Sequence, residues 1–216
     1  MTNFIDNIAF YRTSQEEHPD LPDININFVK FMDDGSDSFT DSRFSLLPRY
    51  NGFVINNQLL AARSRGVMKL NRTDPVWGKV EIYANYLTHP YDLQALIEGV
   101  RFSMRILNTA GFKENGFVGI KSPAKNCENI EFDTFEYYQC YARSYTTPIY
   151  HIVGMWKMAP ESDGGAVDAR LRVHGIGGLR VIDASIMPNV TRGNNHAPAV
   201  MIGEKGSDMI KEDWSN

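Results

Sequence analysis

Two short stretches of the chain concentrate side chains able to do chemistry. The first is Ile149-Tyr150-His151-Ile152-Val153-Gly154, an apolar run holding one imidazole. A histidine in such company is at least half buried and needs a hydrogen-bond partner. Imidazole also takes and gives a proton near neutral pH, so it serves often as a general base. A satisfied core histidine is the plainer account of one such residue standing alone. The second stretch is Val190-Thr191-Arg192-Gly193-Asn194-Asn195-His196-Ala197-Pro198, which sets two carboxamides and an imidazole just ahead of a helix start. Unpaired N–H groups and the positive end of a helix dipole favour an anionic or carbonyl-rich ligand there. A capped helix entry accounts for one Asn; three successive polar residues exceed that need.

The turn His174-Gly175-Ile176-Gly177-Gly178 invites a dinucleotide reading and fails it. The fingerprint G-x-G-x-x-G joins a strand to a helix, so that backbone N–H groups and the helix dipole meet a pyrophosphate. Here Arg180 stands where the third glycine belongs, and the turn runs into the strand-like Leu179–Ile182. A tight turn is the better account. His18 and His89 each precede a proline in polar surroundings and read as surface loop residues, while His174 has no evident partner. Cys127 and Cys140 are the only cysteines, too few for a zinc ribbon or a thiolate-held cluster. Geometry decides whether they stay free or bridge.

The elements that must position these residues fall into two patterns. Asp23–Val29 alternates apolar and polar residues with the period of a half-buried strand. Asp33–Ser38 is a polar loop, and Gly52–Ile55, Gly66–Leu70 and Lys79–Tyr83 read as further strands of an antiparallel sheet. The period then becomes helical: Leu93, Leu96, Ile97, Val100, Met104 and Leu107 share one stripe, with Asp92 as cap and Gly111 as stop. A second helix is expected from Asp133 to about Tyr145, ended by Pro148. After it the composition shifts, which places a boundary near residue 148. A closing helix is expected from Ala197 to about Lys211, with Pro198 near its first position.

Bulk properties narrow the class. A chain of 216 residues buries about 70% of its unfolded surface, so it needs no structural metal or disulfide framework. A net charge of −4 with no Lys/Arg run argues against nucleic acid as partner. No 18-residue apolar stretch is present, so no membrane span is expected. The first twenty residues lack a basic segment followed by an apolar core and do not read as a signal peptide.

Taken in order, several motifs resemble the glucose–methanol–choline (GMC) family of flavin-dependent oxidoreductases. They are Tyr150-His151-Ile152-Val153-Gly154, Val167–Val173, Leu179–Pro188, Gly193-Asn194-Asn195-His196-Ala197-Pro198 and Ile202-Gly203-Glu204-Lys205. Upstream, Arg63-Ser64-Arg65-Gly66 is similar to the family's P-x-S-R-G strand, with Ala62 replacing the proline. The sequence is most similar to insect members of the glucose dehydrogenase type, over the C-terminal half of the family's usual length. The resemblance implies an α+β fold: residues 1–148 form part of an antiparallel-sheet substrate cap with helices on one face. Residues 149–216 form the C-terminal returning segment of an FAD-binding α/β domain whose N-terminal half, with the glycine fingerprint, is absent here.

The resemblance also implies roles. His151 matches the catalytic base that takes the hydroxyl proton of an alcohol or sugar, and Asn194 matches the partner that holds the same oxygen. Asp183 and Ala184 match a stretch near the FAD ribityl–pyrophosphate, although Asp183 also reads as the cap of a turn. Asn195, His196, Ala197 and Pro198 match a stretch beside the flavin ring. Two bulky residues, Met155 and Trp156, replace the small ones usual after His-x-x-Gly, and a narrower or altered pocket follows. Cys127 and Cys140 match a cysteine pair of the insect relatives. A non-catalytic binding or structural module is the competing reading of the same features. Asn71-Arg72-Thr73 and Asn189-Val190-Thr191 are glycosylation sequons, the first in an expected exposed turn.

Overall fold

Ile24 and Ile26 alternate with Asn25 and Asn27, and that alternation builds the central strand of a small sheet. In a computed structural model of the chain, which describes residues 5–31, 52–119 and 126–215, β1 (Ile5–Tyr11), β2 (Ile24–Phe31) and β3 (Gly52–Leu59) form an antiparallel sheet in the order β1-β2-β3. The expected loop Asp33–Ser38 lies outside the described residues. A shorter antiparallel pair joins β4 (Val67–Lys69) to β5 (Glu81–Tyr83), with Met68 opposite Ile82. The helices are α1 (Pro90–Ile106), α2 (Ala110–Glu114), α3 (Phe135–Tyr145) and α4 (His196–Trp214). The expected mixed α+β class is met, although the strands divide between two small antiparallel sheets where a single one was expected.

The chain divides into two compact units, one of residues 1–64 and 87–145, the other of residues 65–86 and 146–216. In the first unit α1 packs on the sheet. Leu93, Leu96 and Ile97 from α1 meet Ile24 and Ile26 in a core that Tyr137, Tyr138 and Ala142 of α3 complete. Gly99 allows the approach, since a Cβ there would sit 3.0 Å from Ile24 Cγ2. Two buried carboxylates organise the chain around the start of α1. Asp23 accepts from the Thr13 N–H at 2.7 Å and from the Tyr91 hydroxyl at 3.0 Å. Burial first, and Asp23 second, push the Tyr91 phenol well above its ordinary pKa, so it stays a donor.

Asp92 does not cap α1. Pro90 occupies the first turn and forces the preceding His89 into an extended conformation, where its Nδ1 accepts from the Tyr91 N–H at 3.2 Å. Asp92 instead accepts the backbone N–H groups of Arg63 and Ser64 at 2.7 and 2.8 Å. Gly111 is not the stop of this helix either. The Thr109 hydroxyl donates to the Ile106 carbonyl at 2.8 Å, α1 ends, and Gly111 falls within α2. At α3 the cap is one residue later than expected: Thr134 Oγ1 accepts from the Tyr137 N–H at 3.2 Å, while Asp133, at φ 68°, accepts from the Tyr138 hydroxyl.

Cys127 and Cys140 form a disulfide that fastens the segment before α3 to the helix itself, 13 positions along the chain. Closing a loop of that length contributes about 3 kcal/mol. Cys140→Ser, or reduction of the parent, is therefore expected to lower the urea-unfolding free energy of the first unit by about that amount. An unchanged unfolding midpoint would show the bridge to be energetically idle.

Candidate active site in the C-terminal unit

All eight residues singled out from the sequence lie in the second unit. Its core is Val167, Leu171, Val173, Ile186, Met187 and Ile202, with Val153, Ile182 and Ala184 packed against it. The apolar run holding His151 thus sends Val153 into the same cluster as the Ala184–Ile186 turn and α4. His151 itself is half-buried, between two left-handed backbone positions: Tyr150 at φ 64° and Gly154 at φ 87°. Tyr150 is 92% exposed, so no packing of its ring offsets the cost of that conformation. Such outliers concentrate where a side chain must be aimed.

Backbone pairing fixes the neighbouring segment. Trp156 donates its N–H to Ser185 O at 3.0 Å and Met158 donates to Ile186 O at 2.8 Å. Gly154 passes close by, for a Cβ there would lie 3.4 Å from Met187 O. Asp183 accepts from the Ser185 N–H at 2.7 Å and so caps the turn Ala184–Ile186, one of the two roles open to it in the sequence.

Asn195 is buried and its Oδ1 accepts from the Thr191 hydroxyl at 3.1 Å, which braces the loop entering α4. Its side chain makes no cap to the helix, leaving the N–H groups of the first turn without a side-chain acceptor. His196 and Ala197 open the helix at exposed positions and Pro198 follows, half-buried. Asn194 is exposed. Neither His151 nor Asn194 has a side-chain hydrogen bond or ion pair among the described residues. The expectation that a histidine in this run must be paired within the protein is not met, because its ring is only partly covered. His174, by contrast, has a partner: Nε2 lies 3.0 Å from Ala159 O.

Residues to which the sequence assigned no individual role hold these segments in place. The Arg65 guanidinium donates to Asn189 Oδ1, tying the loop before α4 to the strand at Gly66, where a Cβ would come 2.6 Å from Tyr83 O. Gly206 lets α4 lie directly on Ile182. At the far end of the helix, Arg170 and Arg180 both bind Asp213, Arg170 at 2.8 Å. Asp168 accepts the N–H groups of Arg170 and Arg172 at 2.8 and 2.9 Å, supporting the left-handed Leu171 between them. None of these ties has a sequence signature beyond residue type.

The turn and the helix start carry donors of the kind a flavin nucleotide would use. The His196 and Ala197 N–H groups at the head of a 19-residue helix suit a negatively charged ring or phosphate, and the buried Ser185 Oγ has no partner among the described residues. The residues present fit the group. Comparison with known proteins agrees on the class. Residues 62–203 match the C-terminal family model described as GMC oxidoreductase. The glucose dehydrogenase [FAD, quinone] of Drosophila pseudoobscura pseudoobscura is 39% identical over 215 residues, which is 99% of this chain but 34% of the relative. The ecdysone oxidase of Bombyx mori is 35% identical over 79% of the chain and 24% of its own length. Among solved structures, a fungal aryl-alcohol oxidase superposes with a TM-score of 0.72 at 27% identity, over 93% of this chain and 29% of its own. The formate oxidase of Aspergillus oryzae RIB40 gives 0.74 at 25% identity, over 96% and 38%.

The fold and the matched segments are those of the FAD-dependent oxidoreductases. The chain belongs to the GMC oxidoreductase family. It spans about a third of the relatives' length, 34% for the glucose dehydrogenases, where the motifs alone suggested half. Among the described residues, no helix is long and apolar enough to cross a membrane.

The anchoring of α4 has a pH dependence. Hydrogen bonding from Arg180, opposed by partial burial and reinforced by Arg170, lowers the Asp213 carboxyl below its ordinary pKa. A depressed carboxyl stabilises the fold above the unfolded value of about 3.9, and that contribution is lost as the pH falls through the folded one. Amide hydrogen exchange in the last turns of α4 is expected to be flat above about pH 5, after correction for intrinsic rates, and to rise on further acidification. Asp213→Asn is expected to remove most of that acid-side rise; an identical profile in the variant would remove Asp213 from the account.

Proposed function

We propose that this chain supplies the proton-accepting and oxygen-holding side of an FAD-dependent oxidation of an alcohol or sugar CH–OH group. The observation that carries the reading is that His151 and Asn194, whose side chains have no partner among the described residues, stand just before Val153 and α4, and that Val153 and Ile202 of α4 share one small core. Asp183, Ala184, Asn195, His196, Ala197 and Pro198 are the residues that would hold FAD. FAD, held there, would supply the acceptor for the hydride that leaves the carbinol carbon. An imidazole nitrogen of His151 receives the hydroxyl proton, so that a C=O bond can form as the C–H bond breaks. The Asn194 amide cannot accept a proton, but it donates a hydrogen bond to the oxygen as negative charge develops there. In the domain assignment that goes with this reading, residues 1–148 are cap and 149–216 belong to the FAD-binding domain.

Met155 and Trp156, both about two-fifths exposed at 40% and 43%, favour a second reading: a non-catalytic module in which bulky side chains fill the space a substrate would need. The two readings separate in flavin binding and reduction. In the flavin-loaded protein, stopped-flow reduction by a primary alcohol or an aldose is expected to slow by about 10²–10⁴-fold in His151→Ala. Asn194→Ala is expected to cost about 10²–10³-fold. Equal rates in parent and His151→Ala would end the assignment of the base. Failure of the parent to retain or reduce FAD would favour the second reading.

A further inference from the structure

The sequon Asn71-Arg72-Thr73 sits in a tight loop between β4 and β5 that no part of the proposed chemistry uses. Asn71 Oδ1 accepts the N–H groups of Thr73 and Asp74 at 2.9 and 3.1 Å, and Asp74 in turn accepts from Trp77 N–H at 2.9 Å. Gly78 closes the loop against the Asn71 side chain, where a Cβ would lie 2.9 Å from Asn71 Cβ. The carboxamide is thus held by its oxygen alone. Its Nδ2 has no partner among the described residues, and Arg72 and Thr73 are exposed. Around the loop the surface is apolar and open: Leu70 is 64% exposed, Val76 72% and Trp77 89%. Apolar residues exposed together in this way call for a cover.

A second observation, remote from the loop, points to the compartment in which such an asparagine is modified. The Cys127–Cys140 disulfide forms and persists in oxidising surroundings, the same secretory lumen in which sequon asparagines receive glycans. We propose that Asn71 carries an N-linked glycan that lies over the apolar tip of the β4–β5 hairpin. The transfer needs a lipid-linked pyrophosphoryl oligosaccharide as donor. A bond forms between Asn71 Nδ2 and the anomeric carbon, the anomeric C–O bond to pyrophosphate breaks, and Nδ2 gives up one proton as the lipid pyrophosphate leaves. No electrons change hands. The other sequon is less suited. At Asn189-Val190-Thr191 the threonine is half-buried and its hydroxyl is engaged with Asn195, whereas Thr73 is exposed.

The test is glycopeptide mass spectrometry on the chain produced through a eukaryotic secretory pathway, with peptide-N-glycosidase treatment in parallel. The expected result is a hexose and N-acetylhexosamine mass on the peptide containing Asn71, converted by the enzyme to aspartate at that position. Asn71→Gln and Thr73→Ala should each abolish the intact-mass shift, Thr73→Ser should keep it, and Asn189→Gln should leave it unchanged. An unmodified Asn71 in secreted protein whose Cys127–Cys140 pair is oxidised would overturn the proposal. So would a glycan found at Asn189 alone.

Discussion

The site in the C-terminal unit depends on a short stretch of backbone pairing, in which Trp156 and Met158 donate to Ser185 and Ile186. That pairing sets the register between the run holding His151 and the turn capped by Asp183. Because the bonds are backbone to backbone, side-chain changes at Met155 or Trp156 leave the register intact while reshaping what surrounds it. Gly154 contributes the left-handed turn that the register needs, where the chain passes close to Met187 O.

The second constraint is the placement of α4. Its N-terminal end is left without a side-chain cap, which on its own weakens a helix. The deficit is offset elsewhere: Gly206 brings the helix onto Ile182, Ile202 enters the core, and Asp213 is gripped by two arginines. A helix secured along its length and at its C-terminal end can present unsatisfied N–H groups at the other. That arrangement is what a negatively charged ligand would exploit, and it links distant surface charges to the chemistry proposed at His151 and Asn194.

Much of the architecture could be read from periodicity. The alternation in β2 and the stripe of α1 come from burial on one face, and burial is what leaves a pattern in sequence. The edge strand β1 escaped because Ile8 and Phe10 are more than half exposed and a bulge between Ile5 and Asn7 breaks the alternation. Helix ends were misplaced where a pre-proline histidine or a threonine outcompeted an aspartate for the cap. The ties made by Asp23, Asp92 and Arg65 could not be read, since each works through partners far away in sequence: Tyr91, Ser64 and Asn189. Of the candidate site, residue types and order were legible through family resemblance. The backbone pairing that relates them, Trp156 and Met158 to Ser185 and Ile186, required three dimensions.

The proposed chemistry requires that His151 and Asn194, whose side chains have no partner among the described residues, address the same substrate oxygen. The most direct measurement is a crystal structure of the flavin-loaded protein with a non-oxidisable alcohol analogue. One His151 ring nitrogen and Asn194 Nδ2 are each expected within about 3 Å of the analogue's oxygen. An analogue held elsewhere, or Trp156 packed between the two groups, would contradict it.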